Sequence, residues 1–198
     1  MRWYDKFCVI DVETTGLGVD DEIVQIALVG YEDGRLIDLR LVTVNPGIPI
    51  PEEASKIHGI TDERVKDKSK LVDIAPKIIE NLKQYEVLVM YNAPFDLGFM
   101  VRCCPGFGDM THRVIDPIVV ARQFDEVREP GRFKLENLYA RMGLPPVEGR
   151  VHNALTDAKM AGNIAWAQQG LLPEDPYEAS HTVWMWRAMQ EAKWKRTR

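Results

Sequence analysis

Asp33-Gly34, inside "EIVQIALVGYEDGRLIDLRLVTV", constrains the fold more than any other pair in the chain. The pair lies between two runs rich in Ile, Leu and Val. Asp-Gly placed there favours the left-handed backbone of a tight hairpin turn. The flanking runs, 22–31 and 35–44, therefore read as antiparallel strands, the second with partial alternation. Residues 7–13, "FCVIDVE", read as a central strand before them, so the chain opens with a three-stranded antiparallel meander.

Past residue 50 the pattern changes. "IPEEASKIHGIT" reads as a short helix ended by Gly59. Residues 71–84 carry helical spacing at Ile74, Ile78, Ile79 and Leu82, with Pro76 expected in the first turns, where a missing N–H is tolerated. "EVLVMYN" is a buried strand followed by a helix from about Pro94 to Arg102. "RVID" is a short fifth strand feeding a helix through Gln123. "KLENLYARMG" presents Leu135, Leu138 and Met142 on one face, with Gly143 as its cap. A last core helix runs from about Asn153 to Gln169. This order predicts an α/β domain on a mixed five-stranded sheet, the meander plus two parallel strands, flanked by helices. The stretch "RCCPGFGDMTHR", within 102–113, carries no readable pattern.

The acids decide what such a domain does. Asp11 and Glu13 leave the same face of the first strand at its C-terminal end, although the strand reads as buried. Burying ionised groups costs several kcal/mol unless they are paired or bound to a cation. Asp96 follows the fourth strand, in "YNAPFDLGF", and Asp157 lies on the last core helix, in "HNALTDAK". Ligands bind open α/β sheets at the carboxyl ends of the strands. If the fourth strand runs parallel beside the first, Asp96 converges on Asp11 and Glu13, and a helix packed across that edge would deliver Asp157; four such carboxylates stay ionised only with cations. Hard oxygen donors select Mg²⁺ or Mn²⁺ over zinc.

"DVETTGL", "NAPFD" and "HNALTD" resemble, in order, the three motifs of the DEDDh (DnaQ-like) 3′–5′ exonucleases of the ribonuclease H-like superfamily, which include proofreading epsilon subunits of bacterial DNA polymerase III. "KIHGIT" and "KLENLYARMGL" are similar to segments between those motifs, and the resemblance spans about residues 7–170. It implies two divalent ions held by Asp11, Glu13, Asp96 and Asp157, with His152 as general base. It also implies release of nucleoside 5′-monophosphates from the 3′ end of a single strand, DNA ahead of RNA. Thr14 and Thr15 would meet the terminal 3′-hydroxyl through their backbone, Leu17 would wedge against terminal bases, and His58, Asn92 and Phe95 would line the groove. Asp116 reads as a helix cap, and His112 and His181 match nothing. Rival readings are an exoribonuclease or oligoribonuclease on the same fold, and a noncatalytic polymerase-associated subunit. With no polymerase domain in 198 residues, proofreading would be done in trans.

The remaining features set context. A formal charge of −5 argues against coating nucleic acid by bulk electrostatics, but not against a site whose positive charge comes from metal. Cys8, Cys103 and Cys104 lack zinc-site spacing and read as reduced thiols of a cytoplasmic protein. No stretch reads as a signal peptide or a membrane span. The chain divides into an exonuclease domain, 1–171, and a Trp/Met-rich helical tail after a short link, 172–198. That tail packs back on the domain, docks on a polymerase or other replication partner, or brushes nucleic acid with its basic end, "KWKRTR". Trp184, Met185, Ala188, Met189 and Ala192 are spaced to give it one apolar face.

Overall fold

β1 (Lys6–Thr14), β2 (Ile23–Glu32) and β3 (Arg35–Thr43) form the expected meander in the computed structural model, which describes residues 2–125, 127, 129–149 and 152–196. At the tip of its second hairpin Asp33 has φ 47° and Gly34 φ 73°. That is the twist-matched turn the Asp-Gly pair favours. β4 (Val87–Val89) and β5 (Val114–Ile115) are short and run parallel to β1, giving the order β3-β2-β1-β4-β5.

Alternation along β1 feeds two cores. Phe7 and Val9 join Ala27 and Val29 beneath α5 (Pro117–Phe124), α6 (Leu135–Arg141) and α7 (Ala154–Ala167). Cys8, Ile10 and Val12 join Ile26 and Leu28 beneath α3 (Leu71–Leu82) and α4 (Pro94–Cys103). Each fully buried Val, Leu or Ile contributes roughly 1.5–3 kcal/mol, so both faces of the strand are strongly specified. α1 (Glu52–His58), closed by Gly59 in the left-handed region, and α2 (Asp62–Val65) pack over a smaller cluster around Val24 and Ile60.

One local expectation changes, and one unread stretch acquires a role. Pro76 is the sixth residue of α3, one turn deeper than expected, and it faces outward beside exposed Val72. Residues 102–113, where the sequence carries no readable pattern, place Cys104, Phe107 and Met110 in the core while most of the stretch stays at the surface. Gly106 turns the chain with φ 88° into a 3₁₀ helix, Phe107–Arg113, that buries Phe107 and Met110.

α8 (Pro176–Arg196) lies against α5, β5 and the 3₁₀ helix. Its packed side is Ala179, Val183, Arg187 and Gln190, at three- and four-residue intervals, with Trp184 and Trp186 flanking it. The anticipated face is not the one used, since Met185 and Met189 are 53% and 61% exposed. Thr197 and Arg198, the last residues of the basic end, lie outside the described residues. The three cysteines carry free thiols. Among the described residues no helix is long and apolar enough to cross a membrane.

Candidate active site

β4 pairs with β1 only over Phe7–Val9, so beyond Val9 the β4 side of β1 has no strand neighbour. The Val12 N–H there is taken by Asp96 Oδ1 at 2.9 Å. Asp96 lies in the first turn of α4 and is 3% exposed, so the start of that helix is fastened to the strand end. On the adjoining face Asp11 and Glu13 continue the row begun by Phe7 and Val9, toward α7. Asn153 caps α7 by accepting from the Leu155 and Thr156 N–H groups, which places Asp157 in the first turn.

Electrostatics report the convergence. Burial raises the Asp11 pKa far above the carboxylate range, and the charges of Asp96, Asp157 and Glu13 add to that. Glu13 is pushed up to about 7 by burial and then by Asp157, against a hydrogen bond from the Ala154 backbone. Asp96 is raised to about 8 by burial, with Val12 N–H opposing. Burial lifts Asp157 to about 6, against the pull of nearby His152. Each of these carboxyls pays for being ionised out of water among like charges. Asp157 Oδ1 is buried without any hydrogen-bond partner.

An orphaned carboxylate oxygen and an all-oxygen donor set fit a hard divalent cation. The fit is to the donor chemistry. Among the described residues, no group of three His, Cys, Asp or Glu side chains is placed to hold a metal ion as it stands.

The other expected residues fall on both sides of these acids. His152 is exposed, has φ 62°, and lines a groove of about 1090 Å³ with Asp157, Asn92, Tyr91, Phe133 and Trp194. Asn92 is also in the left-handed region, φ 60°, and Phe95 packs on Phe99 with ring centroids 5.1 Å apart. Thr14 and Thr15 are buried, and Leu17 is 86% exposed on the loop after them. The Thr15 hydroxyl donates to Asp21 Oδ1 at 2.7 Å and its N–H to the Glu22 carbonyl at 2.9 Å, so both its donors serve the loop itself. His58 accepts from Ile60 N–H through Nδ1, and its Nε2 is buried without a partner. Burial holds this ring below the ordinary imidazole range, with the neighbouring Thr14 backbone opposing.

Asp116 does more than cap a helix. It accepts from Ile118 N–H, as expected of a cap, and also from Asn92 and Ala93 N–H and from Arg187 on α8. The Asp-Pro pair at the start of α5 marks the cap, but nothing local in the sequence marks the other three bonds.

A family model described as an exonuclease matches residues 8–165. The DNA polymerase III subunit epsilon of Pasteurella multocida (strain Pm70) is 32% identical over 175 residues, covering 82% of this chain and 67% of that protein. The PolC-type DNA polymerase III of Thermotoga petrophila is 30% identical over 162 residues, 80% of this chain but 11% of that protein's length. The chain thus spans about a tenth of its PolC-type relatives. Among solved structures, Exonuclease X in complex with 5′ overhanging duplex DNA aligns with TM-score 0.68 at 26% identity, covering 89% of this chain and 99% of that one. The nuclease domain of 3′hExo, a DEDDh family member bound to rAMP, aligns with TM-score 0.72 at 21% identity, over 85% and 93%, a likeness of fold. The sheet order agrees with the ribonuclease H-like class of these neighbours. The chain belongs to the exonuclease family, on the DnaQ-like branch that contains the DNA polymerase III epsilon subunit.

Proposed function

We propose that the chain is a divalent-metal-dependent 3′–5′ exonuclease acting on single-stranded or frayed DNA in the cytoplasm. The observation that carries this reading is the placement of Asp11 against Asp96, Asp157 and Glu13, with Asp157 Oδ1 lacking a partner. Those four carboxylates would hold two Mg²⁺ or Mn²⁺ ions. Such ions supply positive charge to the phosphate oxygens of a scissile bond.

The chain's own residues do the rest. His152 takes a proton from the attacking water, an imidazole role suited to neutral pH. Its exposed position at the groove, one residue before the α7 cap, leaves the ring free to meet solvent. The water oxygen bonds to phosphorus as the bond to the preceding 3′-oxygen breaks, giving a nucleoside 5′-monophosphate. Thr14, Thr15 and Leu17 at the end of β1 position the terminal nucleotide, with His58 beside Thr14 and Asn92 and Phe95 across the groove. Kinship with DNA polymerase III subunits favours DNA over RNA and a replication polymerase as partner, met through the exposed side of the C-terminal tail, 172–198, whose other side packs on the exonuclease domain, 1–171.

Digestion of a 5′-labelled single strand, as DNA and as matched RNA, with Mg²⁺, Mn²⁺ or EDTA tests this. A metal-dependent ladder shortening from the 3′ end, faster on DNA, is expected. A faster RNA ladder would move the enzyme to RNA trimming, and no ladder on either strand would overturn the reading.

A further inference from the structure

Asp116 follows β5 as the cap of α5 and is 2% exposed, yet it accepts four hydrogen bonds. Oδ1 takes Asn92 N–H at 3.0 Å and Ile118 N–H at 3.1 Å. Oδ2 takes Ala93 N–H at 2.8 Å and the Arg187 guanidinium. Two of these bonds hold the turn between β4 and α4. That turn is tightly specified, because Asn92 adopts φ 60° and Asp96 follows in the first turn of α4. Two donors on each oxygen fill the lone-pair positions of an ionised carboxylate and leave none for a proton, and a buried carboxylate needs a cation beside it. Arg187 is that cation, with a side chain 13% exposed. It comes from α8, beyond the matched family region, which ends at residue 165.

We propose that Arg187 is a positioning residue: through Asp116 it holds the Asn92-Ala93 turn, and with it Asp96, so that the C-terminal helix is a working part of the site. Removing the guanidinium leaves Asp116 a buried charge without its cation. It then takes up a proton at the position the guanidinium leaves on Oδ2. A neutral carboxyl accepts more weakly than a carboxylate, so the bonds from Asn92 and Ala93 N–H weaken and the turn loosens. The consequence for activity rests on the reading of Asp96 as a carboxylate of the hydrolytic centre. The link from Arg187 to the turn does not.

The test compares Arg187→Gln, Arg187→Lys and, as a control, Met189→Ala on the exposed side of α8, all in the full chain. Amide hydrogen exchange is read without metal, and kcat, KM and the Mn²⁺ concentration for half-maximal rate are read with it. In Arg187→Gln, exchange at Asn92 and Ala93 is expected to rise about tenfold or more, with amides of α3 unchanged. Over the same comparison kcat drops by about tenfold or more, KM stays within about twofold and the Mn²⁺ requirement rises, as when a group orienting a ligand is lost. Lysine keeps the charge without the planar fork and should fall between, and Met189→Ala should match the parent. Parent-like exchange at Asn92 and Ala93 in every folded Arg187 variant overturns the inference. If the parent itself releases no nucleotide, the exonuclease reading falls, while the exchange rates still decide the role of Arg187.

Discussion

The Asp96 carboxylate accepts the Val12 backbone N–H at 2.9 Å, at the point where β1 loses its neighbour β4. One side chain thereby closes a gap in the sheet and stands among the acids of β1. The two roles separate by substitution. Asp96→Ala leaves a buried N–H without an acceptor and should cost about 1–3 kcal/mol of stability. Asp96→Asn keeps an acceptor oxygen and should unfold at or above the parent's denaturant midpoint, while nucleotide release falls by about 10²-fold. Parallel urea titrations and activity assays on both variants check the separation.

Without metal, stability should fall as pH rises. Asp96, Glu13 and Asp157 are raised to about 8, 7 and 6, chiefly by burial and further by neighbouring carboxylates (Asp116 and Glu13 on Asp96, Asp157 on Glu13, Glu136 on Asp157), and Asp11 is raised too. The folded chain therefore binds more protons than the unfolded chain between about pH 4 and 8, and its stability is lost across that window. In EDTA, Tm should drop by about 5 °C or more from pH 5.5 to 8, given about 2–4 °C per kcal/mol for a domain of this size. Mn²⁺ should restore it at pH 8 and do little at pH 5.5. Calorimetry at the two pH values, with and without Mn²⁺, reads both signs.

His152 should matter for rate and not for folding. The residue is exposed, and at φ 62° it sits where Asn is tolerated better than most residues. His152→Asn should leave the denaturant midpoint within about 0.5 kcal/mol. It should cut kcat by about 10²-fold and flatten the pH–rate profile near neutrality. An unchanged profile would assign the proton to another group.

The hairpin gives the converse case. A Cβ on Gly34 would lie 2.5 Å from the Trp166 ring, and the φ of 73° already disfavours any side chain. Gly34→Ala should destabilise by about 2 kcal/mol or more with the specific activity of the folded fraction unchanged. Thermal unfolding and active-fraction kinetics measure the two effects separately.

What was legible in the sequence is what local chemistry dictates. Asp33-Gly34 set the hairpin because few residues accept that turn, and the alternation in "FCVIDVE" placed Asp11 and Glu13 on one face. The meeting of four acids followed once β4 was taken to run parallel beside β1. Nonlocal geometry was not legible. Asp116 reads as a cap because its cap bond is two residues away, whereas Asn92, Ala93 and Arg187 reach it only after β5 and α8 are in place. On α8, Met185 and Met189 repeat at helical spacing as Val183 and Arg187 do, and only the packing shows which side is covered. Residues 107–113 follow a three-residue period that neither the strand nor the α-helix pattern detects.

The central claim is that the carboxylates at the end of β1 are the hydrolytic centre, and Asp11, which feels the charge of the other three, is where to test it. The measurement is nucleotide release from a 5′-labelled DNA strand by the parent and by Asp11→Asn, at matched folded concentration in Mn²⁺. The account predicts a loss well above about 10²-fold, beyond the roughly 10–100-fold that losing a merely orienting partner costs, in a variant that in EDTA is at least as stable as the parent because one crowded charge is gone. Release by Asp11→Asn within a few-fold of the parent would contradict it.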